Sequence, residues 1–133
     1  MKNLQPQGVW NNFYSLTQIP RPSGKKEEIS QFLANYGRSL GLETIVDKMG
    51  NVIIRKPASA GYENHPGVIL QGHMDMVPQK NADTKFDFEK DAIRAYVEEN
   101  KEWVTADGTT LGADNGIGVA TAMAILADKS VVH

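Results

Sequence analysis

Apolar residues recur at helical spacing in two stretches near the start of the chain. Val9, Trp10, Phe13 and Leu16 fall on one face, and this run must end before Pro20 and Pro22, because a proline disfavours helical geometry at the residue preceding it. A stronger pattern covers residues 25–40. Ile29, Phe32, Leu33, Tyr36 and Leu40 line one face, Ser23 stands where a cap would, and Gly41 stands where the helix would end. The period then shortens. Residues 44–47 and 51–55 flank Lys48-Met49-Gly50, which predicts a β-hairpin with Gly50 free to take positive φ at the turn. Residues 57–66, bounded by Pro57 and Pro66, read as a loop.

Val68-Ile69-Leu70-Gln71-Gly72-His73 is apolar without clean alternation, the pattern of a central strand buried on both faces. Residues 77–102 turn polar with an acidic lean. Within that surface excursion, 93–97 and 103–105 predict a hairpin around Glu99-Asn100-Lys101. A glycine-rich loop over 107–118 leads into a helix over 116–128 rich in Ala, Ile and Met. This order predicts a layered α/β domain, a mixed β-sheet with flanking helices. A crossover helix normally feeds another strand, yet only Lys129-Ser130-Val131-Val132-His133 follow, so the fold is expected to be incomplete and the chain part of a longer one.

Composition narrows the function classes. The chain has 133 residues, 41% hydrophobic and 23% charged, which suits one globular domain rather than a disordered segment. A net charge of -2 with interleaved Lys, Arg and acids gives no attraction to nucleic acid or anionic membrane, so neither is expected as a partner. With no cysteine there is no disulfide, thiolate metal site or thiol nucleophile, which fits a reducing, cytoplasmic setting. No leader-like or membrane-length apolar stretch is visible.

Two places carry candidate chemistry. Gly72-His73-Met74-Asp75 closes the expected buried strand, and in open α/β sheets ligands gather beyond the carboxyl ends of strands. If the backbone stays extended, His73 and Asp75 face the same side. A metal-bound imidazole usually gives its second N–H to a carboxylate, so His73 as ligand with Asp75 behind it meets a chemical need. For the bare triplet, a core histidine and a turn aspartate are the plainer reading. In Leu111-Gly112-Ala113-Asp114-Asn115-Gly116-Ile117-Gly118 an acid sits in a loop of small residues, and a carboxylate can bridge two cations through its two oxygens. Two other readings of this loop stand beside that one: Asp114 capping the following helix, or a phosphate cradle at the helix start. The cradle lacks the P-loop Lys and the G-x-G-x-x-G spacing, and Asp114 would repel phosphate. His65 and His133 receive no role, and Met74, Met76 and Met123 read as packing residues.

Four segments, in order, resemble a known family: Ile19-Pro20-Arg21-Pro22-Ser23-Gly24, Asp47-Lys48-Met49-Gly50-Asn51-Val52, Gly72-His73-Met74-Asp75-Met76-Val77-Pro78 and the run Gly108-Thr109-Thr110-Leu111-Gly112-Ala113-Asp114-Asn115-Gly116. They resemble the M20 metallopeptidases, in particular the bacterial aminoacyl-histidine (Xaa-His) dipeptidase, or peptidase D, branch. The resemblance implies a zinc-peptidase-like catalytic domain of which residues 1–133 are the N-terminal part. It implies two divalent metal ions, Zn²⁺ with Mn²⁺ or Co²⁺ able to serve in the same geometry. His73 would bind one metal, Asp75 would orient that His for catalysis, Asp114 would bridge both metals, and the Asp114-Asn115 peptide would be cis.

The same resemblance puts the general base and the remaining ligands, with the lid or dimerisation domain, beyond residue 133. The full-length protein, for which a homodimer is one open arrangement, is then expected to hydrolyse aminoacyl-histidine and related dipeptides with a metal-activated water. The isolated chain is expected to be inactive. The alternatives are a non-catalytic metal-binding fragment or relative and, last, a phosphate- or nucleotide-binding module.

Overall fold

The helical spacing at the start of the chain becomes α1 (Gln7–Thr17) in the computed structural model, which describes Met1 and residues 3–133. Helix α2 (Glu27–Ser39) begins two residues later than the pattern predicts, with Glu27 and Glu28 in its first turn, where acids complement the helix dipole. It ends as expected. Gly41 takes a φ of 71° and its amide closes on the Arg38 carbonyl at 2.9 Å. Ser23 does not cap this helix. Its backbone amide and hydroxyl are engaged with residues 75 and 76, because the segment around Arg21 is committed to that part of the chain.

Among the described residues the architecture is mixed α/β, three helices with two small antiparallel sheets. Strands β1 (Glu43–Val46) and β2 (Val52–Arg55) form the first hairpin, with Glu43 opposite Arg55 and Val46 opposite Val52. Its turn is held by Asp47, whose carboxylate accepts the Met49 and Asn51 amides at 2.8 and 2.9 Å, and Gly50 has the positive φ that the turn needs. Strands β3 (Ala95–Val97) and β4 (Val104–Ala106) form the second, around the expected 99–101 turn. Helix α3 (Ala113–Ala127) completes the set, and its regular part begins after Asn115, where the helical pattern places it.

The core is where the three helices meet. Phe13 and Leu16 of α1, Ile29 and Leu33 of α2, and Ala120 and Met123 of α3 are all buried. A Phe removed from water as fully as Phe13 contributes on the order of 2–3 kcal/mol. Polar ties fix the helices against one another. Asn12 donates to the Ala120 carbonyl at 3.3 Å and Tyr36 Oη to the Met123 carbonyl at 2.8 Å, while Lys56 covers the carbonyls of Ile125 and Asp128 at the far end of α3. Among the described residues no helix is long and apolar enough to cross a membrane.

Residues 68–73 do not form the buried strand that their composition predicts. They have no ladder partner among the described residues, and Val68 and Ile69 are 84% and 89% exposed. A strand is buried on both faces only when other strands flank it and layers cover it. Here each hairpin pairs within itself, and neither offers this segment a ladder partner. The apolar run records a preference for burial without specifying what would cover it.

The first hairpin leans on α2 at Gly37. A Cβ built there would collide with Thr44 Oγ1 and lie 2.9 Å from Ile54 Cγ1. Gly37→Ala is therefore expected to push the helix off the hairpin and lower the unfolding free energy by about 1–3 kcal/mol. Urea denaturation of the variant checks this, and an unchanged midpoint would show that the interface has room to spare.

Candidate functional site

Three stretches of chain far apart in sequence are sewn together around Arg21. The Met76 amide donates to the Arg21 carbonyl at 2.9 Å and the Ser23 amide to the Met76 carbonyl at 3.0 Å, a short parallel bridge centred on Pro22 and Met76. The Arg21 side chain is only 2% exposed. Its Nε faces the Leu16 carbonyl at 3.4 Å, Nη1 those of Met74 and Asp75 at 3.1 and 3.3 Å, and Nη2 that of Gly112 at 2.9 Å. Burial pulls its pKa below the usual arginine value, and the nearby Asp75 charge works against that shift. Gly112 makes this approach possible. Its φ is 76°, and a Cβ there would sit 2.6 Å from Arg21 Nη2.

A second seam brings in the glycine-rich loop. The Thr110 amide donates to the Gln79 carbonyl at 2.8 Å, its hydroxyl to the Val77 carbonyl at 2.6 Å, and the Asn81 amide to Gly108 at 2.9 Å. The polar excursion between them therefore leaves and returns at nearly the same place. Its return is also tied to α1, through the Ile93 amide on the Thr17 carbonyl at 2.8 Å.

These seams bring His73, Asp75 and Asp114 together. His73 Nδ1 lies 3.1 Å from the Asp75 carbonyl and 3.2 Å from Asp75 Oδ1, while Nε2 lies 3.2 Å from Asp114 Oδ1. The other Asp75 oxygen accepts the Ser23 hydroxyl at 2.7 Å. Asp114 is joined to Asn115 by a cis peptide. Asn115 Oδ1 then accepts the Gly118 amide at 3.1 Å, so the residue after the acid starts the regular helix and Asp114 itself caps nothing. The Asp114 side chain is 97% exposed, and among the described residues His73 is its one hydrogen-bond partner.

The charges are coupled. The Asp114 carboxylate on Nε2 raises the His73 pKa above its usual value; burial opposes this, and Asp75 adds to it from the other nitrogen. The Ser23 hydroxyl, with a smaller contribution from His73, holds the Asp75 carboxyl below the ordinary range against the opposing effect of burial. His65 stacks on Tyr62 in the 57–66 loop, and His133 contacts Pro57 and Ser59. Neither joins the cluster.

The donor set suits a divalent cation. Two ligands about 2.0–2.1 Å from a tetrahedral ion stand roughly 3.3 Å apart, close to the separation of Nε2 and the Asp114 oxygen. The same contact is a hydrogen bond when Nε2 carries a proton, which a cation would replace. Among the described residues no group of three or more His, Cys, Asp or Glu side chains is arranged to hold a metal, since Asp75 is turned to the far side of the imidazole. The chain offers two donors and one orienting carboxylate.

Comparison with known proteins gives this geometry its context. The chain is 50% identical, over all 133 residues, to a cytosol non-specific dipeptidase of Escherichia coli, of which it covers 27%. It superposes on the crystal structure of an aminoacylhistidine dipeptidase from Vibrio alginolyticus with a TM-score of 0.94 at 48% identity, covering 99% of this chain and 26% of that one. The chain is a homologue of the dipeptidases of the M20 family, peptidase D branch. It spans about a quarter of the length of these peptidase D relatives. A tripeptidase from Staphylococcus aureus shares the fold at a TM-score of 0.72 and 23% identity, over 90% of this chain. No family model matches the sequence.

The sequence pattern left Arg21 without a role and gave Ser23 only that of a helix cap, although both lie in the first of the peptidase D-like segments. The available signal was an arginine between two prolines just past an apolar helix, a poor place for a solvated charge. Its partners are backbone carbonyls, which no side-chain pattern reveals.

Arg21→Lys keeps the charge but loses the planar fork that spans several acceptors, and is expected to cost about 2–4 kcal/mol of stability. Arg21→Met should cost at least as much by leaving buried carbonyls unpaired. Denaturant midpoints of both variants check this, and a loss below about 1 kcal/mol would mean that the seams hold without the guanidinium.

Proposed function

We propose that this protein is a metal-dependent dipeptidase acting on aminoacyl-histidine and related dipeptides, and that residues 1–133 are the N-terminal part of its catalytic domain. One observation carries the reading: an imidazole held at Nδ1 by Asp75 presents Nε2 beside the exposed carboxylate of Asp114. The named activities of the E. coli and Vibrio relatives support the substrate class, and the word cytosol in the first supports a cytoplasmic location.

In this reading His73, through Nε2, and Asp114, through its exposed carboxylate, would hold the divalent ions. Asp75 keeps the proton of the imidazole on Nδ1, so that Nε2 stays free to coordinate. A pair of Zn²⁺, Mn²⁺ or Co²⁺ ions would supply Lewis acidity toward the peptide carbonyl and toward the attacking water. The general base and the ligands that close the centre are assigned to residues beyond 133. The 97% exposure of Asp114 leaves its carboxylate open to such partners.

The test uses the full-length protein and an Xaa-His dipeptide. Exhaustive chelation is expected to abolish hydrolysis and added Zn²⁺, Mn²⁺ or Co²⁺ to restore it, with His73→Ala and Asp114→Asn each lowering kcat/KM by at least about a hundredfold. Undiminished turnover by the metal-stripped protein would sink the proposal.

A further inference from the structure

Asp75 is clamped before it meets His73. Arg21 Nη1 lies 3.3 Å from its carbonyl oxygen, and the next residue, Met76, is bonded through both its amide and its carbonyl to the 21–23 segment. Ser23 Oγ stands 2.7 Å from Asp75 Oδ2 and 3.3 Å from the Met76 carbonyl. A hydroxyl has one proton to donate, and the shorter contact to a charged acceptor takes it. That leaves Oδ1 for His73 Nδ1, at 3.2 Å, where it shares the ring proton with the Asp75 carbonyl at 3.1 Å.

The carboxylate needs this restraint. The final torsion of an aspartate is broad, so a carboxylate held from one side only can rotate its second oxygen away from the imidazole. Ser23 is well placed to prevent it. Its own amide is bonded to the Met76 carbonyl, and the preceding Pro22 has a fixed φ, so the hydroxyl rests on an ordered backbone.

We propose that Ser23 is a positioning residue for His73: its hydroxyl locks the Asp75 carboxylate so that His73 keeps its proton on Nδ1 and directs Nε2 toward the metal beside Asp114. This rests on the metal-centre reading given above and extends it by one residue outward. Ser23 touches neither metal nor substrate in this account. Its effect passes only through Asp75.

That route sets the experiment, made on the full-length protein with Zn²⁺ affinity measured by competition with a chromophoric chelator, alongside kcat, KM and Tm. Ser23→Ala is expected to weaken Zn²⁺ binding about three- to tenfold, less than the 10- to 100-fold typical of losing the carboxylate itself through Asp75→Ala. Ser23→Thr keeps the hydroxyl, and the open cleft of about 530 Å³ bordered by Ser23, Lys25 and Phe86 gives its methyl room, so affinity should stay within about twofold of the parent. In an Asp75→Ala background Ser23→Ala should add almost nothing, whereas a role in folding alone would add its full cost in both backgrounds. Parent-like Zn²⁺ affinity in Ser23→Ala, or full additivity with Asp75→Ala, overturns the proposal while leaving the centre intact. Parent-like affinity in His73→Ala overturns the metal centre and this proposal with it.

Discussion

A guanidinium taken out of water must find acceptors for the N–H groups it buries, and at 2% exposure Arg21 finds them on four backbone carbonyls. These come from the end of α1, from the segment after His73 and from the loop before Asp114. Arginine stays charged at any pH the protein meets, so the ion cannot escape the low dielectric by losing its proton. The three stretches therefore have to assemble together or leave a charge unpaired. The glycines are part of this constraint: side chains at Gly112 or Gly116 would occupy the space of Arg21 Nη2.

The candidate site is a by-product of that assembly. Met74 and Asp75, whose carbonyls Arg21 holds, follow directly on His73, and Gly112 is two residues from Asp114. Fixing the backbone at both places leaves the His73 ring between two carboxylates, one on each nitrogen. The two acids differ in kind. Asp75 is partly covered and tied to Ser23, which suits it to orient; Asp114 is open to solvent just before the regular helix, which suits it to bind. The helix trio behind them supplies rigidity, since Asn12 and Tyr36 fasten α3, whose start carries Asp114, to the other two helices.

Much of the local structure was legible because it depends on neighbours in sequence. The apolar faces of α1 and α2, the Gly41 stop, both hairpins and the start of regular α3 helix all follow from spacing and turn chemistry. The His73 and Asp75 pairing was legible for the same reason, being two residues apart. The strand over 68–73 was not, because burial on both faces requires partners, and the apolar run cannot say whether they lie within reach. Ser23 misled in the same way. A serine before an apolar periodic run looks like a cap, but its hydroxyl went to a carboxylate 52 residues away.

The sequence by itself determined the elements, the α/β class and the residue types able to hold a cation, since these depend on periodicity, backbone preference and side-chain chemistry. The tertiary structure decided which of those residues meet: Asp114 at Nε2 of His73, 41 residues distant, and Arg21 at carbonyls up to 91 residues away. The reason is physical. A buried charge is satisfied by whichever dipoles the fold brings within about 3 Å, and a carbonyl at one position is chemically the same as at any other until the chain is folded.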